Sequence, residues 1–80
     1  MKNTHVIRYF LDAADTASPD PLDATACRRA AVWLRWCDGF GATLTADEAK
    51  HIAQGRALGE CARQLIRRLS DEFPAPPEDG

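Results

Sequence analysis

Nowhere in this 80-residue chain does an uninterrupted apolar run exceed Ala30–Leu34. A membrane helix needs about 20 such residues, so none is expected. Near the N-terminus, Val6–Leu11 is broken by Arg8, which removes the apolar stretch of a signal peptide. Cysteine is scarce, with 3 residues at scattered spacing. An odd, scattered set is no disulfide framework, so a reduced, cytoplasmic protein is expected. Charge of one sign is also lacking, since the net charge is −2. That is too small for a nucleic-acid mimic, and it weakens non-specific affinity for DNA. No Gly-rich phosphate loop, G-x-S-x-G turn or H-E-x-x-H motif is present. No internal repeat or low-complexity tract appears.

What is present describes one small domain. The chain is 45% hydrophobic and 28% charged, as ordinary globular chains are. The large apolar residues number eighteen, enough for a thin core. A chain this short buries roughly 60–65% of its unfolded surface, and a stability of about 4–8 kcal/mol is expected. Ala occurs fourteen times and Arg outnumbers Lys eight to two. Both biases fit GC-rich coding sequence, as in a GC-rich bacterium or its phage.

Helical spacing runs through the whole chain. Val6, Phe10, Ala13, Ala14 and Ala17 recur with a helical period, widened by Ile7 and Leu11, so a helix is expected over 4–17 with Asn3 or Thr4 as its cap. A strand through 5–11 is the rival, but the chain offers it no partner. Asp20, Pro21 and Asp23 open a second helix over 21–38. Gly39 is the expected left-handed residue at its end, with Phe40 as the apolar contact behind it. Thr45 and Glu48 form a capping box, with Leu44 ahead of them as a staple. That box starts a helix over 46–54. A further helix follows over 56–73, with a break or kink expected near Gly55. The fold class is therefore all-α, a small bundle of three to four helices in a single domain over 1–73. The acidic, proline-rich stretch 74–80 reads as a disordered tail.

Metal and catalysis find little support. Cys27, Cys37, Cys61, His5 and His51 include no pair at the spacing of zinc ligands. Cys27 and Cys37 lie on the core stripe of the second helix, with Leu22, Ala26, Ala30, Trp33 and Leu34, and read as small hydrophobes. Cys61 falls at the edge of its stripe, where partial exposure is expected. His51 falls on the apolar stripe and reads as a core or interface histidine. No enzyme activity, metal or cofactor is expected.

Charge and aromatic placement say more. Residues 24–70 carry a net +4 and the two ends −6. Arg56, Glu60, Arg63 and Arg67 share one face of the last helix. On the second helix, Arg28, Arg29, Val32, Arg35 and Trp36 lie opposite the core stripe. A solvated face has no need of Val32 and Trp36, and Trp and Arg are the residues most enriched at binding hot spots. The partner-binding set is therefore Arg28, Arg29, Val32, Arg35 and Trp36, with Arg56, Arg63 and Arg67 as a second contact. A homodimer is expected through the Leu58, Ala62, Leu65 and Leu69 stripe, because small residues at Gly55, Gly59 and Ala62 permit close approach. None of Gly41, Gly55 or Gly59 serves as the turn glycine of a helix-turn-helix. Asp47, His51 and Gln54 fall where such a motif needs small or apolar residues.

The expected function is a non-enzymatic protein–protein interaction module acting on a host protein or complex. In size and composition the chain resembles phage and mobile-element accessory proteins, which include inhibitors of host defence such as anti-CRISPR proteins. That resemblance implies action by occupying a surface on a host complex. The alternative is a small DNA-binding regulator or antitoxin-like protein that touches phosphate through its Arg face.

Overall fold

Two capping signatures and two left-handed glycines set helix boundaries. The computed structural model describes residues 3–16 and 20–77. It comprises α1 (Thr4–Thr16), α2 (Pro21–Asp38), α3 (Ala46–Gln54) and α4 (Leu58–Glu72). Among the described residues there is no strand, and no helix is long and apolar enough to cross a membrane. The expected end of the first helix at Ala17 lies outside the described residues.

Asp20 caps α2, its carboxylate accepting from the Leu22 N–H at 2.9 Å, with Pro21 in the first turn. The α3 capping box is complete. The Glu48 N–H donates to Thr45 Oγ1 at 3.1 Å, and the Thr45 N–H donates to Glu48 Oε1 at 2.8 Å. Gly55 closes α3 at φ 71°, so the long apolar pattern is split there. α4 starts at Leu58 rather than 56, because Arg56 and Ala57 form the turn. Ala57 sits at φ 51°, a left-handed conformation that costs an L-residue about 1–2 kcal/mol.

The end of α2 corrects the sequence expectation. Gly39 stays right-handed at φ −64°, and Gly41 takes the left-handed position at φ 85°. The Ala42 N–H bonds to Cys37 O and the Gly41 N–H to Asp38 O. This is the Schellman pairing, moved two residues along. Its apolar contact is Ala42, which is buried. Phe40 is thereby freed and stands 52% exposed.

α2 is the central helix, packed against α1 on one side and α4 on the other. That is why its buried set is wide: Ala24 and Ala31 join Ala26, Cys27, Ala30, Trp33, Leu34 and Cys37. Leu22 is a correction. It is 74% exposed, because α4 meets the first turn of α2 on the side of Asp23 and Ala24 and leaves Leu22 uncovered. The core is completed by Val6, Phe10 and Ala14 of α1, Ile52 of α3, and Ala62, Leu65 and Leu69 of α4. The α4 stripe is thus used within one chain. Ala62, Leu65 and Leu69 are buried in this chain's own core, which corrects the expectation of a dimer surface there. A homodimer would have to use another face. His51 is also corrected. The Gly55 turn takes it off the stripe, and it is exposed, with Nδ1 2.7 Å from Asp47 O.

Two polar ties hold the elements in place. Asn3 is buried, and its Nδ2 donates to Asp38 Oδ1 and Ala42 O, both at 2.9 Å. Its side chain thus joins the start of α1 to the end of α2 instead of capping its own helix. Arg68 is the second tie. It donates to both oxygens of Glu48, to Glu72 and to the Thr43 carbonyl. Glu48's hydrogen bonds raise the Arg68 pKa above its ordinary value against the opposing effect of burial. α3 buries only Ile52 among its own residues, so this cluster fastens α3 to the bundle.

Candidate functional site

The most developed exposed surface runs along the outer side of α2 onto α1. Val32 is 43% exposed, and Leu11 of α1 also 43%. Val32, Arg35, Trp36, Gly39 and Phe40 form one wall of an open groove of about 680 Å³, with Pro76 and Pro77 opposite. A second groove of about 450 Å³ lies between α1 and α2, lined by Ile7, Arg8, Leu11, Asp12 and Arg35. Arg35 borders both, so the two grooves form one continuous surface. Helical geometry accounts for this arrangement. Residues 28, 32, 35, 36 and 39 repeat at three and four along α2, on the side that α4 leaves uncovered.

Arg35 and Arg8 make no ion pair or hydrogen bond with any described residue. Both are exposed. Two cations without partners among the described residues therefore lie among the apolar side chains of this surface, with Asp12 of α1 beside them.

Trp36 is half-buried. Its ring packs edge-on against Phe40 at a centroid distance of 5.5 Å, and Phe40 in turn lies 6.2 Å from Phe73. The Trp36 indole N–H donates to the Pro74 carbonyl at 2.9 Å, and Pro76 is buried. Within the expected tail 74–80, residues 74–77 are thus laid across the end of α2, and 78–80 lie outside the described residues. Trp36 is both a packing residue and a wall of the groove.

The structure assembles part of the expected site and disperses the rest. Val32, Arg35 and Trp36 come together. Arg28 lies on the same side but pairs with Asp15 of α1 at 3.1 Å. Arg29 is exposed and has an interaction of its own. The second contact is broken up. Arg56 sits in the turn before α4, and Arg63 is held by Asp23 at 3.2 Å and Glu60 at 3.5 Å. Arg67 is exposed, without a carboxylate partner among the described residues. Phe40, Leu11 and Arg8 complete the surface and escaped sequence reasoning. The sequence pattern places Phe40 at the helix cap, as the apolar contact behind Gly39. The signal for Leu11 was its spacing of four from Ile7.

A smaller cavity of about 240 Å³ between α3 and α4 brings Cys61 and His51 together with Asp47 and Gln64. A nucleophilic cysteine needs a lowered pKa. Here burial first, then the Glu60 charge, pushes the Cys61 thiol up. Cys37, buried in the core, is also pushed up by burial, with the Arg68 charge pulling the other way. Neither thiol is activated. Among the described residues, no three His, Cys, Asp or Glu side chains cluster as a metal site requires.

No protein family, curated protein or solved structure matches this chain.

Proposed function

We propose that this chain is a small non-enzymatic protein-binding module, and that its working surface is the α1–α2 face around Arg35. The observation that carries this reading is the joining of two grooves at Arg35, which has no partner among the described residues, with Val32, Leu11 and Phe40 exposed on either side. Exposed apolar side chains grouped in this way give folding no benefit and mark an interaction surface. The profile shared with mobile-element inhibitors of host defence supports action by occupancy, with the module covering a working surface on a host complex.

Phosphate binding through the Arg row has less behind it. Arg63 and Arg68 are committed to carboxylates, which leaves Arg56 and Arg67. Two such contacts supply little of the electrostatic affinity that nucleic-acid binders draw on.

Arg35→Glu tests the proposal. The side chain is exposed and has no partner among the described residues, so unfolding stability should stay within about 0.5 kcal/mol. Affinity for the partner complex purified from a host lysate should fall at least about tenfold, because a cation opposite a carboxylate becomes a like charge. Equal affinities for wild type and variant would overturn this reading.

A further inference from the structure

We propose that α3 is a hinged lid, latched by Arg68 and sprung at Ala57, that opens as a unit from the intact bundle of α1, α2 and α4. The lid uses none of the residues of the α1–α2 working face and does not rest on that reading.

The packing of the four helices is uneven. α1 and α4 pack along α2, whereas α3 meets α4 over a short stretch. Ile52 is the one residue of α3 that is buried, and it borders two cavities. The first, of about 240 Å³, lies between α3 and α4 and includes Cys61 and Gln64. The second, of about 350 Å³, lies between α3 and α1 and is lined by Val6, Tyr9 and Leu44. α3 thus rests on the bundle through one side chain, with open space on either side of it. Such space forfeits the packing contacts that hold an element down. Lifting α3 merges the two cavities into one cleft, with Val6 and Tyr9 on one wall and Cys61 on the other.

Both ends of α3 are built to turn. Ahead of it, residues 42–45 form an irregular loop that follows left-handed Gly41. Behind it come Gly55 at φ 71° and Ala57 at φ 51°. Glycine takes that conformation without strain, and alanine does not. When the turn 55–57 lets go, Ala57 returns to ordinary backbone, so its strain favours the open form. Arg68 opposes it. From α4 it grips Glu48 at the start of α3 and the Thr43 carbonyl in the loop ahead. A polar latch set against a strained hinge makes an element that opens locally, before the rest of the chain unfolds.

The test is native-state hydrogen exchange of the ¹⁵N-labelled full chain, followed by NMR. Amides 50–53 of α3 should share one opening constant. Corrected for intrinsic rates, they should exchange at least about tenfold faster than amides 33–36 of α2. Ala31→Gly weakens α2, which stays folded in both the closed and the open form. It should speed exchange at 33–36 by at least about fivefold and leave 50–53 unchanged. Ala57→Gly removes the strain from the closed form and should slow exchange at 50–53 by roughly threefold or more. Equal protection of α3 and α2 would overturn the inference, because α3 would then open only with the whole chain. So would α3 amides that open one by one from the Gln54 end, faster α3 exchange in Ala31→Gly, or unchanged α3 exchange in Ala57→Gly.

Discussion

Replacing Arg68 by methionine should lower the stability of the domain by about 2–3 kcal/mol, a large part of the roughly 4–8 kcal/mol available to a chain of this size. The side chain is 24% exposed, and Glu48, which it grips with two hydrogen bonds at 2.5 and 2.8 Å, is 17% exposed. Methionine keeps most of the aliphatic stem and removes the charge. Glu48 then stays half-buried with its capping bond to Thr45 but no cation, and the Thr43 carbonyl loses its donor. Removing one partner of a fully buried pair costs about 3–5 kcal/mol, and the remaining solvent contact here reduces that. Since α3 buries only Ile52, the loss should fall on α3 first. Thermal melting followed by circular dichroism should show the midpoint drop by about 10–20 °C. Hydrogen exchange should quicken in α3 before it does in α2. A melting change of only a few degrees would show that Arg68 merely decorates the surface.

Gly59→Ala should destabilise, reversing the usual sign for glycine inside a helix. In a free helix the change gains about 1 kcal/mol. Here a Cβ at residue 59 would meet the Asp23 side chain of α2, with the Asp23 Cβ at 2.8 Å. The carboxylate could swing aside, but that breaks its bond to Arg63. The Asp23 Cβ cannot swing, so α2 and α4 must separate along their contact. Overpacking of this kind costs about 1–3 kcal/mol, and the net loss should be about 1–2 kcal/mol. Urea unfolding of the variant measures it. A midpoint at or above that of wild type would show that the helices have room to spare.

Sequence patterns that act locally were readable. Asp20-Pro21, the Thr45–Glu48 box and Gly55 each satisfy nearby backbone groups, so their positions alone placed three helix ends. Contacts between distant elements were not readable. Gly39 and Gly41 are equivalent as glycines, and burial of Ala42 favours the later one. Leu58–Leu69 looked like a free stripe because nothing in its spacing says that α2 covers it. Arg63 and Arg68 lie on different faces of α4, and nothing in the spacing says that Arg68 is the one that meets the α3 capping residue Glu48. Val32 and Trp36 were legible as misfits on a solvated face. Phe40 and Leu11 were not, since their exposure follows from where the α2 turn closes and how α1 lies on α2.

The central claim is that a partner covers the α1–α2 face around Arg35. The most direct measurement is oxidative side-chain footprinting of this chain, free and bound to the complex captured from a host lysate. Leu22 serves as the internal reference, being 74% exposed at the far end of α2. Binding should protect Leu11 and Phe40 and leave Leu22 as reactive as before. Protection of Leu22, with Leu11 and Phe40 unchanged, would contradict the claim and move the working surface elsewhere on the molecule.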